Sequence, residues 1–167
     1  HSKVEVAALV DVDANTLKGA SQKHPGAETF ADYREMLNKL GDKIDAVVIS
    51  TPDHTHAPAA MSALNLNKPV YCQKPLTHEV FEARKLREVA EQKNLVTQMG
   101  IQVHSSAPYR RAVEIIQSGA IGKVSEVHAW SNKNWGYDGG AFAKRAGGPP
   151  VQLDWNLWLG VTAMRPY

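Results

Sequence analysis

An α/β fold built on a parallel sheet covered on both faces is predicted by three observations. Short, largely apolar runs at 4–10, 46–49, 69–72 and 95–99 alternate with segments whose apolar residues recur every three or four positions. Each run stops on a polar or proline-containing tip, as a strand does before its crossover helix. With 43% apolar and 22% charged residues, the chain has the means to build a packed core and is not a disordered segment.

The elements follow in order. Residues 4–10 form a strand closed by Asp11-Val12-Asp13, and Asp13 or Asn15 caps a helix running to about Lys23. His24-Pro25-Gly26 is a turn, and Thr29-Phe30 is a short extended piece. Asp32 caps a second helix with Tyr33, Met36, Leu37 and Leu40 on one face, ended by Gly41-Asp42. Residues 46–49 are the clearest buried strand and break at Ser50-Thr51-Pro52. Pro58, near a first turn, starts a helix through Ala63 and Leu64. Residues 69–72 form a strand ending in Gln73-Lys74-Pro75, and Thr77 caps a long helix carrying Val80, Ala83, Leu86 and Ala90. After strand 95–99, Ser106 caps a helix that Gly119 stops at a C′ position.

Beyond Gly122 the pattern changes. Residues 124–130 alternate like a half-exposed strand of a different sheet. Residues 137–150 are a glycine- and proline-rich loop, and 153–160 is aromatic and compact. A domain boundary is expected near 119–123, giving one domain over 1–120 and the start of another over 121–167.

Charge and cysteine content exclude several function classes. The 19 basic and 17 acidic side chains leave a net charge of +2 and form no basic run of the kind that meets nucleic acid or a membrane surface. The single cysteine, Cys72, excludes an internal disulfide framework and a multi-cysteine zinc site. No apolar run reaches the ~18 residues of a membrane span.

Ligands of parallel α/β sheets bind beyond the carboxyl ends of the strands, so the strand tips carry the chemistry. An acid such as Asp11 at a second strand's end accepts hydrogen bonds from the adenosine ribose of a dinucleotide, and its charge disfavours a 2′-phosphate, selecting NAD over NADP. The plain alternative is a capping aspartate, and no Gly-x-Gly-x-x-Gly phosphate loop occurs in the chain. In Thr51-Pro52-Asp53-His54-Thr55-His56, the His-x-His pair lacks a third ligand nearby, so no metal is expected; backbone and hydroxyl contacts to a cofactor are the alternative. Lys74, after an apolar strand and before a proline, is expected to be partly desolvated and suited to acid/base work. No Gly-x-Ser-x-Gly elbow supports a serine hydrolase, and Cys72 is expected to pack within its strand.

Together the tips resemble a known family. Val70-Tyr71-Cys72-Gln73-Lys74-Pro75-Leu76-Thr77 resembles the Glu-Lys-Pro segment of the Gfo/Idh/MocA oxidoreductases. Ser50 to His56 is similar to their loop after the fourth strand, Val10 to Asp13 to their second-strand end, and Ser118 to Val124 to their entry into a second domain. Residues 153–167 resemble a segment of sugar-handling members. The resemblance implies a Rossmann-like, doubly wound sheet followed by the start of an α+β mixed-sheet domain. It implies an NAD(P)-dependent oxidoreductase acting on a sugar, inositol or related polyol. Lys74 would be catalytic, beside the nicotinamide and the substrate hydroxyl. Asp11, Ser50, Thr51, Pro52, His56, Gln73, Pro75 and Gln102 would contact or shape the cofactor site, with NAD preferred to NADP.

Two departures matter. Gln73 stands where the family usually has Glu, which removes an ion-pair partner from Lys74. The family's later aspartate-to-histidine motif has no counterpart before Tyr167. The order of the motifs leads us to expect an internal piece of a longer protein, lacking the first strand, helix and glycine loop of the fold, and inactive by itself. Alternatives on the same scaffold are an NAD-dependent glycosidase and a non-catalytic sugar-sensing module. A homo-oligomer in the cytoplasm is expected, with export left open.

Overall fold

A computed structural model of the protein describes residues 4–132 and 147–167. Two parallel sheets form its framework. Strand β1 (Ala8–Val10) pairs with β2 (Glu28–Phe30). Strands β3 (Val47–Ile49), β4 (Val70–Gln73) and β5 (Thr97–Gly100) form the other sheet, in that order. Among the described residues, β1 and β3 each have a single hydrogen-bonded neighbour. The strand directions agree with the Rossmann-like expectation.

Local chemistry sets the helices. Asp13 Oδ1 accepts the Asn15 and Thr16 backbone N–H groups and starts α1 (Ala14–Lys23). Asp32 does the same for α2 (Tyr33–Leu40) through the Arg34 N–H, while the Arg34 guanidinium hydrogen-bonds the Asp32 carboxylate. That side-chain hydrogen bond holds the Asp32 carboxyl below its usual range. α3 (His56–Asn65) carries Pro58 in its first turn. α4 (Val80–Gln92) is capped by Glu79 in a reciprocal capping box with Glu82, not by Thr77, whose hydroxyl donates to the Glu79 carbonyl. α5 (Ala107–Gln117) is capped by Ser106 and followed by Gly119 at φ +77°, as its sequence predicts.

Two apolar clusters hold these elements. One joins Ile49, Ala63, Leu64, Val70, Cys72 and Leu86, between the three-stranded sheet and helices α3 and α4. The other joins Met36, Leu37, Leu40 and Ile44 to Ala8, Val10 and Phe30. Tyr33 and Val47 pack against both, linking the two sheets where no strand pairing does. On the opposite face of β3–β4–β5, among the described residues, the register row Val48, Tyr71, Gln98 is exposed, Val48 at 71%.

The chain divides into two compact units, one of residues 1–100 with 147–167, the other of 101–146. Residues 147–167 return to the first unit because their backbone bonds to the loop after β1: Asp13 and Leu153 form an antiparallel bridge. In the second unit, residues 124–130 are exposed and carry no strand assignment, since no partner strand meets them among the described residues. Most of the expected loop at 137–150 lies outside the described residues. No helix among those described is long and apolar enough to cross a membrane.

Candidate functional site

Register brings the predicted tips into line. Ile49, Cys72 and Met99 form one row across the three-stranded sheet. One residue further, Gln73 pairs with Gly100, and Ser50 follows Ile49. Alternation puts Ser50, Gln73 and Gly100 on the same open face as Val48 and Tyr71. The bare Cα of Gly100 is what makes room for Gln73: a Cβ there would lie 1.9 Å from Gln73 Oε1. Lys74 and Pro75 follow, joined by a cis peptide bond. Lys74 is exposed, which corrects the partial desolvation expected from its place in the sequence.

His56 ties this turn to the tip of β3. Its side chain is 2% exposed; Nδ1 lies 2.7 Å from the Pro75 carbonyl and Nε2 2.7 Å from the Thr51 carbonyl. A carbonyl only accepts, so a ring proton points at one or both of them. The loop has a further brace in the Thr55 hydroxyl, within hydrogen-bond distance of Thr51 Oγ1 (2.8 Å) and the Pro52 carbonyl (2.9 Å). Ser50, Thr51 and Pro52 themselves are exposed.

Asp11 lies at the other tip, half-buried. Its Oδ1 accepts the Asp13 N–H at 2.8 Å, which fixes the carboxylate, and Oδ2 makes no hydrogen bond among the described residues. What lies beside it leaves no local signal in the sequence. Residues 150–167 cross from this tip to the tip of β3. The Ala14 N–H donates to the Gln152 carbonyl and the Asp154 N–H to the Val12 carbonyl, both at 2.9 Å. Asp154 caps a short helix, α6 (Trp155–Leu159). From there, His54 Nε2 donates to the Trp158 carbonyl at 2.8 Å, and the His54 and Trp158 rings lie 5.0 Å apart. Trp155 stacks on Trp158 at 4.9 Å, and Leu159 is buried. Asp154 ahead of an aromatic run is the one local signal of α6; its docking partners lie about 100 to 140 residues earlier in the chain and leave none.

Gln102 sits in a short 3-10 turn of the second unit and is exposed. Both rings of the His-x-His pair face backbone carbonyls. An apolar cavity of about 600 Å³ lies away from these groups, lined by Leu64, Cys72, Leu76, Leu86 and Met99. Burial there pushes the Cys72 thiol up to about 11, which keeps it neutral and unreactive.

Comparison with known proteins agrees with the fold. An oxidoreductase family with an NAD-binding Rossmann fold matches residues 1–101. The inositol 2-dehydrogenase of Rubrobacter xylanophilus is 34% identical over 134 residues, covering 78% of this chain and 38% of that protein. The inositol 2-dehydrogenase of Salmonella typhimurium is 36% identical over 131 residues, covering 76% and 38%. Among solved structures, myo-inositol 2-dehydrogenase from Lactobacillus plantarum matches with a TM-score of 0.68 at 29% identity, over 72% of this chain and 35% of that one. The scyllo-inositol dehydrogenase from Lactobacillus casei, solved with NAD(H) and scyllo-inositol, matches with a TM-score of 0.65 at 30% identity, over 70% and 34%. The chain thus spans little more than a third of the length of these relatives.

Proposed function

The chain belongs to the Gfo/Idh/MocA oxidoreductase family, and from that premise we propose that the protein is an NAD-dependent dehydrogenase acting on a CH–OH group of an inositol, sugar or related polyol. The observation that carries the proposal is the row of tips: Ser50, Gln73 and Gly100 at one level, with Lys74 directly after and Asp11 ending β1. The relatives named inositol dehydrogenases support the substrate class.

The donor set fits the cofactor's ribose and nicotinamide halves. Asp11 offers an unshared carboxylate oxygen to a ribose diol, and its charge opposes a 2′-phosphate. Ser50 and Thr51 present exposed hydroxyls at the next tip. The chain's residues include no glycine loop for the diphosphate, so the 167 residues alone are proposed to hold NAD weakly and to turn over no substrate. When bound, NAD supplies the hydride acceptor. Lys74 contributes a mobile ammonium that orients the reacting hydroxyl and stabilises the oxyanion as charge develops. Gln73 gives that ammonium a hydrogen-bonding neighbour without a counter-charge. His56, having both nitrogens against backbone carbonyls, shapes the groove through the Thr51 and Pro75 loops and not by touching the cofactor.

The test is NADH formation by the full-length protein offered NAD with myo-inositol, scyllo-inositol and a panel of hexoses. Net NADH accumulation with one of them is the expected result, and it also separates dehydrogenation from a glycosidase that returns its hydride. No NADH with any polyol would remove the proposal.

A further inference from the structure

We propose that His56 is a positioning residue whose two ring nitrogens serve different steps: Nδ1 places the Lys74 turn for hydride transfer, and Nε2 places the Thr51 loop for NAD binding. The inference rests on the dehydrogenase reading given above and deepens it, since it assigns turnover and cofactor affinity to opposite edges of one buried ring.

The need for such a residue comes from the end of a strand ladder. β3 and β4 are paired neighbours, and their last shared rung is Ile49 with Cys72. Past that rung the chain leaves the sheet as Ser50-Thr51-Pro52 on one strand and, a residue later, as Lys74-Pro75 on the other. The contacts within the second turn are local. The Lys74 N–H donates to Gln73 Oε1 at 3.3 Å, and the Cys72 thiol lies 3.8 Å from the Leu76 carbonyl. Proline has no N–H, so Pro75 can be held through its backbone only by its carbonyl. His56 Nδ1 takes that carbonyl at 2.7 Å. Among the described residues, this is the one hydrogen-bond contact that ties Lys74, Pro75 or Leu76 to another element.

The other edge of the ring acts on the other loop. Nε2 lies 2.7 Å from the Thr51 carbonyl, while the Thr51 side chain stays exposed. The ring itself, 2% exposed, is out of reach of a ligand. Its backbone begins α3, whose Ala57, Ala60, Ala63 and Leu64 are buried in the core. A rigid plane anchored on a packed helix therefore holds one loop on each edge. Release of the Nδ1 edge frees the Lys74 turn, and release of the Nε2 edge frees Thr51.

Side-chain chemistry lets the two edges be separated. The amide nitrogen of asparagine lies as many bonds from Cα as Nδ1 does, and that of glutamine as many as Nε2. Each amide nitrogen carries two hydrogens and can donate to a carbonyl. His56→Asn thus keeps the Pro75 contact and gives up the Thr51 contact, and His56→Gln does the reverse. In the full-length protein, His56→Gln is expected to lower kcat about 100-fold, as for a reacting group displaced by about 1 Å, with NAD affinity within about twofold of wild type. His56→Asn is expected to weaken NAD about fivefold in calorimetric titration, the effect of one hydrogen bond, with kcat within about threefold. Each variant tests one edge by itself, so the failure of one to fold leaves the other decisive. A histidine that only stabilises the fold predicts that turnover and affinity fall together in both variants. That parallel loss, failure of both to fold, or wild-type behaviour in either folded variant overturns the division. A wild-type protein that neither binds NAD nor forms NADH with any polyol removes the dehydrogenase reading instead; one that turns over while its two variants move together removes only the role of His56.

Discussion

His56 and Pro75 are joined by a hydrogen-bond contact of 2.7 Å between the buried imidazole Nδ1 and the proline carbonyl, and the same ring reaches the Thr51 carbonyl through Nε2 at 2.7 Å. One side chain at the start of α3 thereby spans the loops after β3 and β4. His56→Ala leaves two carbonyls and a cavity behind. A loss of about 2–4 kcal/mol is expected in urea unfolding of the full-length protein. Wild-type stability in that variant would show that the bridge holds nothing.

Lys74 is exposed beside the cis turn, and truncating it removes little packing. Lys74→Ala is expected to lower kcat of the full-length protein about 100-fold or more while its melting temperature stays near wild type. Full activity in the variant would end the role given to this residue.

Gly100 separates function from stability in a different way. An added methyl meets the far end of the Gln73 amide, which can swing aside at little cost. Gly100→Ala should therefore change stability by less than about 1 kcal/mol. It should also alter kcat, because Gln73 no longer lies where it does beside Lys74. Unfolding and turnover measured on the same preparation check this, and unchanged turnover counts against Gln73.

Asp11→Asn keeps an acceptor for the Asp13 N–H and removes the charge. NAD affinity is expected to fall about tenfold, as a charged hydrogen bond to ribose becomes a neutral one, and NADP affinity to rise. Competition titrations with the two cofactors give the ratio; an unaltered ratio would place the ribose elsewhere.

The Cys72 thiol, 1% exposed, is raised by burial from 9.0 to about 11. A thiol held neutral by the fold adds stability that is fully present below about pH 9, and that is lost as pH climbs through about 11. The stability difference between wild type and Cys72→Ala should shrink over that window by roughly 2 kcal/mol. A difference that stays constant across it would contradict the burial effect.

What was legible in the sequence was local. Asp32 before Tyr33, Met36, Leu37 and Leu40 announces both the start and the buried face of α2, and the apolar runs around Ile49 and Cys72 announce central strands. The order of the tips exposed the family and the candidate site together. Glu79 was missed as a cap because glutamate seldom serves there, and its partner Glu82 reads equally well as a surface acid. The burial of His56 could not be read, since its partners are carbonyls that carry no residue identity. Alternation at 124–130 marked a strand face but supplied no neighbour to pair with. The docking of 150–167 depends on backbone contacts across most of the chain, beyond the reach of periodicity.

The uncovered row of Val48, Tyr71 and Gln98 has a practical consequence for handling these 167 residues alone. Val48 and Tyr71 put exposed apolar surface beside an edge of β3 that has no hydrogen-bonded strand among the described residues, and such a surface favours association with a second copy of itself. Concentrating the isolated chain is expected to drive that association, and a ligand that prefers one assembly state would then bind with an apparent affinity that drifts with protein concentration. Dilution series are the control that separates self-association from recognition in any titration of the isolated chain.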